Sequence, residues 1–323
     1  MTLTDRGHLI SNSELRTLKR CRRKWYLQWY LCLELPTVPG DFIGPRSIGT
    51  LGHRALQAHY DPADRRPVLN ALEEVLETEG ARLQELADAP LFPQAWQQFV
   101  ADSDLLRIVV SGYVDWLGET GADAGLEPVA AETYLELPLG HDPASNQPVT
   151  LIGKLDVRVR RESDGAVLFL DHKFKGQMGP LHLLPMDEQM LTYDLLQLGE
   201  RADARADGAI YNILRTVKRS ARAKPPFYHR EEIRHNAAQL AGFHDRLLSE
   251  ARDLLLLRWR VEQGQLTEVY PNPTNDCAWD CPFLAVCPMF DDGSRVQDAL
   301  AGVYVAGNPL DHYLTEGPDD HAD

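Results

Sequence analysis

The amino-acid sequence predicts an α/β protein in which a mixed β-sheet is flanked by helices. Hydrophobic residues recur at helical spacing up to about residue 118, and three β-rich segments then follow between about 127 and 174. Helical spacing returns on both sides of a short apolar segment at about 208–214. With 323 residues, of which 44% are hydrophobic, the chain is long enough to bury a substantial core.

The N-terminal third is predicted to be helical. Residues 12–33 have the apolar spacing of a helix that Asn12 or Ser13 could cap. A connector rich in Pro and Gly follows, and a second helix is expected from about Thr50 to Tyr60. Residues 67–118 are mostly helical, with a break at the two prolines of APLFP.

The middle of the chain predicts a three-stranded antiparallel meander, because turn sequences separate the segments VAAETYLELPL, VTLIGKLDVRVRR and AVLFLDHKF. A helix over about 186–200 follows, opened by Pro185 and Asp187. A short strand, GAIYNIL, and a long helix over 231–263 come next. The predicted order is therefore helix–helix–β–β–β–helix–β–helix.

Four segments are expected from these elements. They are a helical region carrying Cys21 and His53 (1–125), a core (126–230), a C-terminal helix with three cysteines (231–290) and an acidic, loosely ordered tail (291–323). The sequence contains no apolar run of about 18 residues and no secretory signal. We therefore expect a cytoplasmic protein with no membrane partner.

The charges are unevenly distributed. The net charge of −15 argues against an anionic partner, since phosphate contacts need Lys and Arg. Two acid-free basic runs nevertheless make DNA a compatible partner, the alternative being two solvated helix or loop faces. The first run holds Arg16, Lys19, Arg20, Arg22, Arg23 and Lys24, and the second holds Arg215, Lys218, Arg219, Arg222 and Lys224.

Two aspartates and a lysine lie on neighbouring predicted strands. Side chains alternate across a strand, so Asp171 and Lys173 project from one face while His172 points away. Pairing across the ESDG turn can bring Asp156 near Asp171, and two adjacent acids favour a bridging Mg²⁺ or Mn²⁺. Such a metal would activate a water for attack on a phosphate, with the lysine beside it. The alternative is an exposed strand edge that happens to read Asp-x-Lys.

Two further groups accompany this pattern. Gln189 and Tyr193 stand four residues apart on the next helix and therefore share one face. His53 lies on a predicted helix, where it could supply a nitrogen ligand, although a lone histidine there is also compatible with a packed core residue.

The segments GTLGH, GKLD, LDHK and QMLTY together resemble the RecB-type branch of the PD-(D/E)XK nuclease superfamily. The resemblance covers most of residues 8–290. It implies a PD-(D/E)XK restriction-endonuclease-like core with an N-terminal helical region and a C-terminal cysteine segment. The implied activity is a magnesium- or manganese-dependent deoxyribonuclease, more an exonuclease on single-stranded DNA or DNA ends than an endonuclease, acting in recombination, repair or replication.

The resemblance also implies roles for individual residues. His53, Asp156, Asp171 and the main-chain carbonyl of His172 would bind the divalent metal. Lys173 would act on the attacking water and the phosphate.

Three more positions correspond to auxiliary residues of this branch. Gln189 and Tyr193 would orient the lysine or contact the DNA backbone. Glu132 falls where related nucleases often carry a further acid, and an exposed strand glutamate is the alternative reading.

Four cysteines resemble the iron–sulfur branch of the same family, which includes CRISPR-associated nucleases and the nuclease domain of AddB. Cys21 lies near the N-terminus, and Cys277, Cys281 and Cys287 lie close together near the C-terminus. Their implied ligand is a [4Fe–4S] cluster that clamps the chain ends. The first pair here is CxxxC where the branch usually has CxxC, so Zn²⁺ and unliganded buried thiols remain alternatives. Cys32 is expected to be a core cysteine.

A cluster at Cys21 would hold Arg22, Arg23 and Lys24 near the DNA entry, which makes them predicted DNA contacts. The expected partners are DNA and a helicase or recombination protein, in a bacterial or phage-infected cell. The sequence has no phosphate-binding GxxxxGK[ST] loop, so any unwinding would come from another protein. The competing reading is a catalytically inactive DNA-binding scaffold, or the nuclease subunit of a helicase complex.

Overall fold

The computed structural model describes residues 7–36, 45–85, 87–88, 92–200 and 207–314. The chain divides into two compact units. Unit 1 comprises Met1–Pro36, Leu135–Gly153 and Ala237–Asp323, and unit 2 comprises Thr37–Tyr134 and Lys154–Asn236. This division differs from the four consecutive segments expected from the sequence, because unit 1 takes its residues from both ends of the chain.

Of the eight strands in the described ranges, six belong to one mixed sheet. The strands are β1 (His8–Ser11), β2 (Leu33–Glu34), β3 (Leu126–His141), β4 (Pro148–Arg161), β5 (Val167–Lys175), β6 (Ala209–Arg215), β7 (Tyr228–Ile233) and β8 (Val305–Ala306). In unit 2, β4 pairs antiparallel with β5, β5 parallel with β6, and β6 antiparallel with β7. In unit 1, β1 pairs parallel with the first half of β4. Strand β3 pairs with β4, and β2 pairs with β8 in a separate ribbon.

Helices make up most of the remaining structure. They are α1 (Asn12–Arg20), α2 (Arg22–Trp25), α3 (Pro45–Tyr60), α4 (Val68–Gln84), α5 (Phe92–Thr120), α6 (Glu188–Glu200), α7 (Ala237–Glu262), α8 (Cys277–Asp280), α9 (Val296–Val303) and α10 (Asp311–Leu314). The predicted fold class, a mixed sheet flanked by helices, is confirmed. Within the described ranges, no helix is long and apolar enough to cross a bilayer.

The core of unit 2 lies between helices α3, α4 and α5 and one face of the sheet. Alternate residues of β4 and β5 face these helices, as a half-buried strand pattern requires. The fully buried members include Leu56, Leu72, Val109, Val157 and Leu170. Complete burial of such a side chain stabilises the fold by about 1.5–3 kcal/mol.

A buried carboxylate joins the helices of unit 1. Glu14 of α1 is fully buried, and its Oε1 accepts hydrogen bonds from Trp25 Nε1 (2.9 Å) and from Arg258 Nη2 of α7 (2.5 Å). A buried carboxylate is tolerated only when it is paired and hydrogen-bonded, so this contact fixes how α1, α2 and α7 pack.

Several predicted boundaries were wrong. The helix expected over 12–33 is interrupted at Cys21, whose backbone is extended (φ −163°, ψ 114°), and it continues as α2 and a π-helical turn. Ser11, not Asn12 or Ser13, caps α1 by accepting a hydrogen bond from the Glu14 amide (3.2 Å).

Four strands, β1, β2, β7 and β8, were missed. β1 has only four residues, too few for a periodic signal, and β7 occupies residues that were assigned to the start of a long helix. That helix, α7, begins only at Ala237. The tail after residue 291 was expected to be loose, but α9, β8 and α10 form there, because Leu300 and Tyr304 are buried and Tyr304 contacts Phe283. Residues 315–323 lie outside the described residues.

Candidate functional site

Asp156 and Asp171 are brought together by the pairing of β4 with β5. The antiparallel register pairs Val157 with Leu170, so the two aspartates stand at the next position of the ladder. Asp156 Oδ2 accepts a hydrogen bond from the His172 amide (2.9 Å), and Asp171 is 1% exposed. Residues opposite each other on antiparallel strands share a face, which explains why two acids meet here.

Lys173 is held between β5 and helix α6. Its Nζ donates to Asp171 Oδ1 (2.9 Å) and to Gln189 Oε1 (3.0 Å). The Gln189 amide in turn donates to the Tyr193 hydroxyl (2.8 Å), one helical turn further along α6. The Asp187 side chain accepts a hydrogen bond from the Gln189 backbone N–H (2.8 Å) and so caps the start of α6. The ammonium group therefore has a fixed position beside the aspartates.

His53 approaches the same acids from helix α3. Its Nδ1 lies 3.3 Å from Asp156 Oδ2, and its ring packs on Phe174 with 5.6 Å between ring centroids. Gly52 permits this approach, because a Cβ there would lie only 2.2 Å from the Phe174 ring. The second glycine of the GTLGH segment, Gly52, is thus required by the close contact of α3 with β5.

The site is a compact group of opposed charges. Burial raises the pKa of Asp171 to about 6, the Lys173 charge opposes this shift, and repulsion from Asp156 adds to it. Burial also acts against ionisation of Asp156, but the charge and hydrogen bond of His53 outweigh it and hold the Asp156 pKa below its ordinary value. Burial would lower the pKa of Lys173, yet the two carboxylates raise it. The arrangement can therefore carry a cation beside two carboxylates.

His172 points away from Asp171 and Lys173 into a buried polar network that the sequence did not reveal. Asn212 Nδ2 donates to His172 Nδ1 (2.8 Å), and Arg230 Nε donates to Asn212 Oδ1 (3.1 Å). Arg230 Nη2 also donates to the hydroxyls of Tyr60 (3.0 Å) and Tyr113 (2.6 Å). Burial lowers the His172 pKa to about 3. The network ties β5, β6 and β7 to the helix that carries His53.

Glu132 is placed on β3, as expected, and pairs with Lys154 Nζ (2.7 Å). Its backbone has a positive φ of 49°, which is uncommon for a residue other than glycine. Among the contacts of the described residues, none joins Glu132 to Asp156 or Asp171. The role of a further site acid therefore has no geometric support, since Lys154 neutralises the carboxylate.

The four cysteines that were grouped by the resemblance all belong to unit 1 and are free thiols. Cys21 separates α1 from α2, Cys277 and Cys281 bracket α8, and Cys287 begins a 3₁₀ turn. Burial raises the pKa of Cys281, and repulsion from Cys277 and Cys21 adds to the shift. Burial likewise raises the pKa of Cys287, with Cys21 and Cys281 adding to it. The four sulfurs thus lie close enough to interact electrostatically.

Each of these sulfurs has a nitrogen donor near it. The donors are Lys24 N to Cys21 (3.5 Å), Thr274 N to Cys277 (3.4 Å), a Phe283 backbone group to Cys281, and Arg23 Nη1 to Cys287 (4.0 Å). N–H groups directed at sulfur are the surroundings that thiolate ligands require. Within the described residues, however, these cysteines do not adopt the arrangement of a metal site as they stand.

The basic residues beside Cys21 are engaged within unit 1. Each of the three predicted DNA contacts pairs with an acid from the C-terminal part of the chain, and Arg23 is 5% exposed. The pairs are Arg22–Glu268 (3.2 Å), Arg23–Asp291 (2.7 Å) and Lys24–Asp280 (3.5 Å). Their placement gives no support to a DNA-binding role, because a phosphate would have to displace these carboxylates.

A divalent metal fits the aspartate site by its chemistry. The two carboxylates are hard oxygen donors of the kind that Mg²⁺ and Mn²⁺ prefer, and His53 adds a nitrogen donor. Asp171 Oδ2 is buried and lies 2.8 Å from the Lys173 ammonium, but it accepts no well-directed hydrogen bond. Within the described ranges, no three His, Cys, Asp or Glu side chains adopt the arrangement of a metal site as they stand.

Comparison with known proteins identifies the superfamily of the chain. A sequence model of the PD-(D/E)XK nuclease superfamily matches residues 9–288, and the chain belongs to that superfamily. Its members are hydrolytic nucleases that act on DNA and generally use divalent metals such as Mg²⁺. No curated protein matches the chain. A solved structure titled "Crystal structure of SSO0001" is similar at 15% identity with a TM-score of 0.31, over 65% of this chain and 80% of that chain.

Proposed function

We propose that this protein is a magnesium- or manganese-dependent DNA nuclease of the RecB type, with an exonuclease action on single strands or DNA ends. The observation that carries the proposal is the partly buried contact of Lys173 with Asp171, which stands opposite Asp156 on the neighbouring strand. The exonuclease action and the preference for single strands or ends rest on the motif resemblance.

Each side chain has a distinct task in this proposal. Asp156, Asp171, His53 and the His172 carbonyl would hold the metal, which supplies a water of lowered pKa and shields charge on the phosphate. Lys173 places a positive charge where the phosphate gains negative charge during attack. Gln189 and Tyr193 keep the lysine in that place by the two hydrogen bonds described above.

We further propose that Cys21, Cys277, Cys281 and Cys287 bind a [4Fe–4S] cluster. The four interacting sulfurs and their nitrogen donors support it. A single Zn²⁺ would need all four sulfurs within about 2.3 Å of one ion. The cluster would join the two ends of unit 1 and would take no part in hydrolysis.

The test of the nuclease proposal compares the wild type with Lys173→Ala on end-labelled linear and on circular DNA. With Mg²⁺ or Mn²⁺ the wild type is expected to degrade linear single strands from an end, and chelation by EDTA should stop it. Lys173→Ala should lower the rate by about 100-fold or more, the usual scale for losing a group that stabilises transition-state charge.

Lys19→Ala is the matched control. It also removes a lysine that is paired with a carboxylate, Glu250, but in unit 1. Equal rates for Lys173→Ala and the wild type, or binding of DNA without cleavage by both, would contradict the enzymatic proposal.

A further inference from the structure

A second group of cations lies beside the proposed catalytic site. The sequence contains no Asp or Glu from Gly208 to Arg230. Strand β6 ends at Arg215 and β7 begins at Tyr228, so most of this stretch is the connection between two antiparallel strands. We call residues 215–227 the basic hairpin. Its cations are Arg215, Lys218, Arg219, Arg222 and Lys224.

The sheet places the basic hairpin at the same edge as Lys173. Strands β5 and β6 are parallel, so their C-terminal ends lie together, and Lys175 is in register with Arg215. The Thr216 amide donates to the Lys175 carbonyl (2.9 Å), which continues the pairing into the hairpin. Lys173 and Lys175 are two residues apart on one strand face, a separation of about 7 Å. Lys173, Lys175 and Arg215 therefore lie at one edge of the sheet, and the basic hairpin continues from that edge.

These cations differ from the first basic run in having no acidic partners. Among the described residues, no carboxylate forms an ion pair with the cations of the basic hairpin or with Lys175. The side chains of Lys218, Arg222 and Lys224 are exposed. In a chain of net charge −15, unpaired cations in one place leave a local positive field.

The two arginines nearest the sheet hold the basic hairpin in shape. Arg219 lies 3.8 Å from the Phe227 ring centroid and donates to the Tyr228 hydroxyl (2.6 Å), which donates to the Val109 carbonyl of α5 (2.8 Å). Arg215 Nη1 donates to the carbonyls of Lys224 (2.8 Å) and Pro226 (3.0 Å). These contacts hold the backbone of the hairpin, and the side chains of Lys218, Arg222 and Lys224 take no part in them.

We propose that the basic hairpin binds the phosphate backbone of the DNA strand that enters the site. This inference rests on the proposed nuclease function and adds the surface that binds its substrate. Binding of phosphates by Lys218, Arg222 and Lys224 releases counterions from the DNA, and it needs no base contacts, so it is independent of sequence.

The experiment measures DNA affinity separately from cleavage. Fluorescence anisotropy follows binding of a labelled single-stranded oligonucleotide in EDTA over a salt series. The triple variant Lys218→Gln, Arg222→Gln, Lys224→Gln is expected to bind at least about tenfold more weakly at low salt, and the slope of log affinity against log salt should fall by about 2. Cleavage by the wild type and Lys173→Ala is measured in parallel with Mg²⁺.

A control variant removes the same charge elsewhere: Arg16→Gln, Arg252→Gln, Arg295→Gln. All three arginines are exposed and belong to unit 1. Its affinity should stay within about twofold of the wild type, because phosphate contacts and not net charge set the slope. Circular dichroism of both variants checks that they remain folded.

The outcomes separate the two proposals. If the hairpin variant binds DNA as well as the wild type, or if both variants are weakened equally, the hairpin proposal is wrong. Cleavage by the wild type in the same experiment would still support the nuclease proposal. A wild type that neither binds nor cleaves DNA overturns both. If the wild type binds RNA more tightly than DNA of the same sequence, and the hairpin variant loses this preference, the proposal that the hairpin binds DNA is wrong.

Discussion

The position of the Lys173 ammonium is decided by its neighbours on two elements. Asp171, two residues earlier on β5, accepts one hydrogen bond, and Gln189 on α6 accepts another. An isolated lysine has four rotatable bonds, so two fixed acceptors remove most of its freedom before substrate arrives. Tyr193 acts on the lysine through Gln189, since its hydroxyl accepts a hydrogen bond from the Gln189 side-chain amide and orients it.

Tyr193→Phe is predicted to lower the cleavage rate by about three- to tenfold, because a lost neutral hydrogen bond is worth about 1 kcal/mol and the Gln189 amide can then rotate. Single-turnover cleavage with saturating DNA measures the effect. Affinity in EDTA should not change, which separates positioning of the lysine from binding. Tyr304→Phe is the control, since its hydroxyl donates to the Pro282 carbonyl in unit 1. A wild-type rate for Tyr193→Phe would refute the positioning role.

At this scale the sequence predicted relationships between residues that are near in the chain. Alternation along a strand placed Asp171 and Lys173 on one face, and helical spacing placed Gln189 beside Tyr193. It could not find Asn212 and Arg230, which carry no motif. Asn212 contacts His172, and Arg230 contacts Asn212, only because their three strands lie side by side. No local pattern in the sequence encodes that proximity.

Helix α3 contributes His53 only because it can lie close to β5. Gly52 faces Phe174 at a distance that leaves no room for a methyl group, whereas a Cβ at Gly49, one turn earlier, would meet nothing within 4 Å. Packing therefore requires a glycine at position 52, whereas it does not require one at position 49.

Gly52→Ala is predicted to displace α3 and to destabilise the protein by about 1–3 kcal/mol, the usual cost of overpacking. Cleavage should fall as His53 moves from Asp156. Gly49→Ala is the matched control and should leave activity intact, with stability unchanged or raised by up to about 1 kcal/mol. Thermal unfolding and cleavage rates check both variants. Equal behaviour of the two would show that the Phe174 contact does not limit the position of α3.

Elements whose hydrophobic residues recur with a clear helix or strand period were predicted well, and elements without such a period were not. The β-rich segments correspond to β3, β4 and β5, and α6 begins within two residues of its expected start. Cys21 looks like any residue inside a helical run, yet it adopts an extended backbone and its sulfur accepts the Lys24 amide. β7, YHREEI, carries charges that suit a helix start, and only its pairing with β6 makes it a strand.

For the whole molecule, the distribution of charge matters more than the total of −15. Both basic runs are equally acid-free in sequence. In the folded chain, acids from residues 250–291 pair with five of the six cations of the first run, whereas the described carboxylates leave the second unpaired. Which run is available to a polyanion could not be known without the tertiary structure, since the neutralising residues are more than 200 positions away.

Cys281→Ser is predicted to lower the iron and sulfide content of protein purified without oxygen, from about four irons per chain in the wild type. The melting temperature should fall with it, because a ligand that binds only the folded state stabilises it. Cys32→Ser is the control, since Cys32 lies outside the group of four and its thiol donates to the Trp29 carbonyl. Zinc in place of iron, or equal metal content in both variants, would contradict the cluster.

The composition of unit 1 also constrains the order of events during translation. Every segment of unit 2 has left the ribosome once residue 236 has emerged, whereas Cys21 and its neighbouring arginines still lack their counterparts. Glu14 pairs with Arg258, so α1 can acquire this native contact only after α7 has been synthesised. The segments that carry His53, Asp156, Asp171 and Lys173 are therefore synthesised before the C-terminal partners of α1.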